Sequence, residues 1–327
     1  MQLRGNAPRR GGRPTVAPTF FLSASYNFPR PKGNTESIYF FILGGKKTMY
    51  MKFPGHKIKT LTLSYDDDTV HNARLIEIMK KYGLRGTFNL NSGCFAAQSG
   101  EGHMTEKEAL EVFSSAGDGI EIAMHGVRHG FLHEMSPAQK SYELVGDKAA
   151  LEKLFGVIIR GGAYAFGQYD DMSLEILHSA DICYFRTTVS TERFDLPKHM
   201  YDWVKLPATC HHENPHLFEL ADRFAELSVD PIEYRNHPQM FYLWGHSYEF
   251  NNNHNWDRIE TFAEKLGGRD DIWYATNIEV FDYVNAYHAL VTSADGKRLY
   301  NPSAQTLCFA HGGVDYTLGA GKTLLLD

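Results

Sequence analysis

The chain has 327 residues, 43% hydrophobic and 22% charged, with 33 basic against 39 acidic side chains and a formal net charge of −6. This is the make-up of a globular protein long enough for one large domain or two. The mild acidity argues against the clustered basic surface of a nucleic-acid binder. Four widely spaced cysteines, Cys94, Cys183, Cys210 and Cys308, form no Cys-x-x-Cys and suit reduced thiols better than a disulfide framework.

Residues 1–48 differ in composition from the rest of the chain. Arg4, Arg9, Arg10 and Arg13 lie among glycines and prolines, and a short apolar run occupies 38–43. That run is too short for a membrane span, which needs about twenty residues, and it sits too far from the start for a signal-peptide core. The segment reads as a disordered leader, or as one not natively translated if synthesis starts at Met49 or Met51. With no export signal or membrane span in view, a cytoplasmic protein is expected.

From Lys57 strands and helices alternate. Residues 61–65 read as a buried strand that runs into Asp66, Asp67 and Asp68. Successive strand residues face opposite ways, so the strand end can aim Asp66 and Asp67 differently. Acids crowded at an apolar strand end repel one another and lose solvation, which a cation or a shared proton relieves. A solvated loop or a helix N-cap is the plainer use of such acids. Residues 70–82 have helical apolar spacing and stop at Gly83. Residues 85–90 are the next strand, whose Asn89-Leu90-Asn91-Ser92-Gly93 end reads as a turn. Residues 105–116 form a helix with a Thr105/Glu108 capping box.

The strand at 119–124 delivers His125 and His129. Two imidazoles four residues apart can converge on a helix face or a loop, and with a carboxylate they make a three-ligand open site of the kind zinc takes. Gly126 excludes the zinc-protease signature, which needs Glu after the first His. Next come a helix over 137–155, a strand at 157–159 ending in Arg160, a helix over 173–179 and a strand over 182–188. His211 and His212 read as polar loop residues. An apolar strand, 240–246, ends in His246. A helix (259–266), a strand (272–276) and a helix (279–287) complete the series. Beyond residue 290, short strands and Gly-rich turns suggest a small β appendage. Seven or eight strand–helix units imply a parallel sheet closed as a barrel, with the active site at the C-terminal strand ends.

Ser64-Tyr65-Asp66-Asp67-Asp68 and His125-Gly126-Val127-Arg128-His129 resemble the first two motifs of the polysaccharide deacetylases, the NodB-homology carbohydrate esterases. Asp68 stands where the family has Gly, which an αL turn at Asp tolerates, and Gly126 stands where it has Ser or Thr. Arg160-Gly161-Gly162-Ala163-Tyr164 resembles the third motif with one extra residue, and Leu243-Trp244-Gly245-His246 the fifth. Asp202-Trp203 matches the fourth only loosely. The resemblance covers about residues 57–280 and implies a distorted (β/α) barrel of NodB type with a β-rich C-terminal appendage.

It implies a divalent cation, zinc first and cobalt or nickel next, held by Asp67, His125 and His129. Asp66 is then the base, Arg160 its steadying cation and His246 the acid, with Tyr164, Trp244 and Tyr248 lining the sugar site. The barrel is expected over 49–289 and the appendage over 290–327. The expected activity is removal of acetyl groups from an N- or O-acetylated sugar or polysaccharide. The alternatives are hydrolysis of non-sugar linear or cyclic amides, and a dead carbohydrate-binding module.

Overall fold

The alternation of strand and helix is laid out as a mostly parallel sheet in the computed structural model, which describes residues 49–100 and 102–326. After β1 (Met49–Lys52) come β2 (Lys59–Asp66), β3 (Gly86–Leu90), β4 (Ile120–Met124), β5 (Gly161–Ala163) and β6 (Tyr184–Ser190). Two short strands are next, β7 (Leu206–Ala208) and β8 (Cys210–His211), then β9 (Gln239–His246) and β10 (Ile272–Tyr274). The sheet order is β7-β6-β5-β4-β3-β2-β9-β8, all parallel, with β10 against the first residues of β2.

β7 and β8 are two halves of one extended segment. The Glu192 N–H donates to the Thr209 carbonyl (2.8 Å) and the Thr209 N–H to the Tyr242 carbonyl (2.9 Å). Residues 206–211 therefore join the two ends of the sheet and roll it into a distorted barrel.

Parallel strands need crossover connections. The helices are α1 (Asn72–Lys81), α2 (Glu106–Ala116), α3 (Pro137–Ser141), α4 (Asp147–Phe155), α5 (Asp171–Ser179), α6 (Leu217–Glu226), α7 (Ser247–Asn252), α8 (Trp256–Leu266) and α9 (Asn277–His288). β2 shows why the layers form. Leu61, Leu63 and Tyr65 point outward into a cluster with Leu75 and Met79 of α1 and Ile259 and Phe262 of α8. Each such fully buried side chain contributes about 1.5–3 kcal/mol. Its other face carries Thr62 and Ser64, whose hydroxyls bond Asn277 (2.8 Å) and Asn89 (2.8 Å) inside the barrel. The N-terminus of α9 enters the barrel from below: the Asn277 N–H donates to Thr87 Oγ1 (3.1 Å) and the Ile278 N–H to Glu121 (3.0 Å).

Two sequence expectations shift. The helix expected over 137–155 is α3 and α4 joined through a π turn, Tyr142–Gly146. The strand expected at 157–159 lies instead at Gly161–Ala163, and Ile158 is 80% exposed. The reason is steric. A Cβ at Gly161 would meet the Tyr184 ring at 2.0 Å and one at Gly162 the Met124 carbonyl at 2.3 Å, so the strand's tight place admits only glycine.

The appendage is present as antiparallel strands β11 (Val291–Thr292), β12 (Arg298–Tyr300), β13 (Leu307–His311), β14 (Val314–Leu318) and β15 (Thr323–Leu325). They form the sheets β11-β12-β15 and β1-β13-β14. β1, ahead of the barrel, thus belongs to the appendage by pairing. No helix among the described residues is long and apolar enough to cross a membrane. The leader expected over 1–48 lies outside the described residues.

Candidate active site

The C-terminal ends of β2, β4 and β9 converge. Asp66 is the last residue of β2 and pairs in register with Asn89 of β3 and His246 of β9. The next residue, Asp67, turns out of the strand at φ 71°. The sequence places the left-handed turn at Asp68; the structure places it one residue earlier. Asp68 is fully buried and accepts from His103 Nδ1 (3.1 Å).

Asp67, His125 and His129 each offer a ligand atom, all within 4.8 Å of one another. His125 Nδ1 donates to the Ala163 carbonyl (2.8 Å), which fixes the tautomer and leaves Nε2 free toward the cluster. The two imidazole rings stand 4.7 Å apart. Burial lowers the pKa of His129, favouring the neutral ring that binds metals. One carboxylate and two oriented imidazoles fit a borderline divalent cation such as zinc.

Asp66, only 2% exposed, lies beside this cluster, its Oδ2 3.7 Å from His125 Nε2 and 4.0 Å from His246 Nε2. Asn89 Nδ2 donates to its Oδ1 (2.8 Å), and the Arg186 guanidinium pairs with Oδ2. Burial alone would raise the Asp66 pKa, but Arg186, with His125 and His246, brings it down to about 2. Arg186 is itself completely buried, its guanidinium 4.1 Å over the Trp244 ring.

The cation expected to steady Asp66 was Arg160. Its guanidinium instead makes two 2.8 Å bonds with Asp282 of α9, because Arg160 precedes β5 and so lies at the opposite end of the barrel from the site. The sequence carried a signal for Arg186 all the same. It is a charge inside the apolar strand 182–188, and a buried charge requires a partner.

His246 caps α7. Its Nδ1 donates to Glu249 Oε2 (3.1 Å), leaving Nε2 toward Asp66. Burial opposes the charged ring, yet Glu249 and Asp66 outweigh it and raise the His246 pKa. His211 Nε2 and His212 Nε2 each lie 3.2 Å from the same Glu249 oxygen. His212 is fully buried, stacked on Phe250 (4.0 Å), and is no loop residue in solvent. The Gly245 backbone passes so close to it that a Cβ would sit 2.0 Å from its ring.

The three expected sugar-lining aromatics divide. Tyr164 is 1% exposed and donates to the Val204 carbonyl (2.8 Å), so it is a core residue. Trp244 is mostly buried beneath Arg186 and His211 and supports the site from below. Tyr248 is half-buried with its ring 5.2 Å from His246 and remains at the site. Trp203 packs edge-on against Phe281 in the core.

Sequence reading missed a pair of exposed aromatics. Phe131 and Phe166 stack in parallel at 4.0 Å, 43% and 46% exposed, and the Phe166 ring touches that of His129 at 4.4 Å. Phe166 is held at φ 56°, a conformation a bulky residue keeps only where its surroundings impose it.

The model of the family described as "Polysaccharide deacetylase" matches residues 54–185. No curated protein matches the chain in sequence. Among solved structures, a Mycobacterium smegmatis chain described as a polysaccharide deacetylase shares 14% identity over 74% of this chain and 95% of its own, with a TM-score of 0.51. That is a likeness of fold. The Streptococcus pyogenes deacetylase PplD, in complex with acetate, shares 25% identity with a TM-score of 0.36, covering 39% of this chain and 55% of its own. The present chain thus spans about half the length of that deacetylase. BA3943 of Bacillus anthracis, a family 4 carbohydrate esterase pseudoenzyme, shares 18% identity over 71% of this chain and 68% of its own, TM-score 0.43. Residues 54–185, which carry the Asp66–Asp67 strand end and the His125–His129 loop, are thus similar to the polysaccharide deacetylase family.

Proposed function

We propose that the protein is a metal-dependent deacetylase acting on an acetylated sugar or a small acetylated amide. The observation that carries this reading is the placement of Asp66 Oδ2 between His125 Nε2 (3.7 Å) and His246 Nε2 (4.0 Å). A carboxylate held ionised thus faces an imidazole pushed toward its charged form across a space bordered by the Asp67–His125–His129 cluster. A divalent cation on those three residues supplies a Lewis acid that acidifies water and polarises an acyl carbonyl.

This chain's own residues do the proton work. Asp66, pinned by Arg186 and Asn89, accepts a proton from the attacking water. His246, aligned by Glu249, returns a proton to the leaving nitrogen as the acyl C–N bond breaks, giving acetate and the free amine. Phe131 and Phe166 offer an apolar wall beside His129 for the ring or chain that bears the acetyl group.

The test is acetate release from N-acetylglucosamine oligomers by protein stripped with a chelator and reconstituted with zinc. Release that disappears on stripping and returns with zinc supports the reading; none after full reconstitution, on any acetylated sugar or acetamide offered, overturns it. Ammonia release or ring opening with cyclic amides under the same conditions would move the activity to non-sugar C–N bonds.

A further inference from the structure

The loop that carries His125 and His129 is bound along its backbone by residues that lie outside both motifs. Asp147, fully buried at the start of α4, accepts from the N–H groups of His125 (3.0 Å) and Gly126 (2.9 Å) at Oδ2 and from the Ser92 N–H (2.8 Å) at Oδ1. Glu143 accepts the Arg128 N–H at Oε2 (2.9 Å) and the Val127 N–H at its main-chain carbonyl (3.2 Å). On the acceptor side, Asn91 Nδ2 donates to the carbonyls of His125 (2.9 Å) and Gly126 (2.8 Å), and the Gly93 N–H to that of Val127 (2.9 Å). Every N–H from His125 to Arg128 and every carbonyl from His125 to Val127 is therefore engaged.

Glu143 sits in the π turn Tyr142–Gly146, and Asp147 is the residue immediately after it. Such widened turns are found in helices at functional sites. Gly126 is at φ +88°, and a Cβ there would come within 3.1 Å of Glu143 Oε2. The Glu143 carboxylate thus crowds the space that a side chain at position 126 would take. Burying a carboxylate without such bonds is costly, and Asp147 has three N–H donors.

We propose that Asp147, assisted by Glu143, is a positioning residue for the cation site. Its carboxylate fixes the backbone from which His125 and His129 project, and so sets cation affinity without touching the cation. This rests on the reading that Asp67, His125 and His129 hold a divalent ion.

The experiment measures zinc affinity of the full chain by competition with a chromogenic chelator, together with amide hydrogen exchange of the metal-free protein. In Asp147→Asn one acceptor becomes a donor facing N–H groups. The variant is expected to bind zinc about 10–100-fold more weakly and to exchange faster at amides 125–128, with an unchanged circular dichroism spectrum. Wild-type affinity in the folded variant overturns the proposal. Should Asp147→Asn fail to fold, Glu143→Ala carries the test, with weakened zinc binding expected and wild-type affinity overturning it. A wild-type chain that binds no zinc overturns the cation reading, whereas equal binding by wild type and variant overturns only the positioning role.

Discussion

Between His125 and Arg128 the backbone is bound at every N–H, while around His246 one carboxylate oxygen gathers three imidazoles. The first half of the site is held by geometry: neutral bonds and two buried carboxylates place side chains that need only point. The second half is held by charge, and the Glu249 oxygen that orients His246 also raises its pKa. Asp66 stands between them and depends on both, through His125 on one side and His246 on the other. A site built this way should lose position when the first half is cut and lose its pH profile when the second is.

Substitutions can break or sharpen this contrast. Asp66→Asn, at the junction, should lower kcat for acetate release by about 10²–10⁴-fold while zinc stoichiometry stays at the wild-type value; full activity would remove Asp66 from the role of base. Arg186→Met leaves the buried Asp66 carboxylate without its cation and should destabilise the fold by about 3–5 kcal/mol in urea unfolding. An effect under about 1 kcal/mol would show that the Asp66–Arg186 pair is not what holds this part of the barrel.

In the charge-held half the pH profile is the readout. An acid must be protonated to act, so a raised His246 pKa keeps activity above its ordinary value near 6.5, with loss as pH climbs further. Glu249→Gln removes the raising charge and should move that alkaline limb to lower pH by roughly one unit, the typical spread of such shifts. An unmoved limb would separate Glu249 from the acid. Phe166→Ala should raise KM several-fold with kcat kept, an effect of about 1 kcal/mol for an aromatic contact. The smallest change is expected from Arg160→Met, whose pair with Asp282 is partly exposed and contributes less than about 1 kcal/mol. Wild-type kcat is expected there, and a large loss would restore Arg160 to the site.

How far the sequence could be read depended on what each residue needed to know. Acids at the end of an apolar strand and histidines at the end of another announce themselves locally, because strand alternation fixes where an end residue points. The barrel came from the same alternation, and the register of β2 with β9 brings Asp66 level with His246. Arg160 was misplaced because β5 could not be located by propensity: its glycines look like a turn, and only the closeness of Tyr184 and Met124 shows why they form the strand. Moving that strand four residues along sends Arg160 to the far end of the barrel and leaves the Asp66 partnership to Arg186 on the neighbouring strand.

His212 and Tyr164 failed for the same reason in reverse. A polar or aromatic residue beside a turn gives no local sign of burial, which is settled by Phe250 and Gly245 in one case and Val204 in the other. Local chemistry therefore determined the class of fold and the strand ends that bring Asp66, Asp67, His125, His129 and His246 together. Which arginine pairs with Asp66, which carboxylates hold the histidine loop and which aromatics stay exposed beside His129 were decided by strands and helices distant in sequence, because burial and pairing are properties of the packed chain.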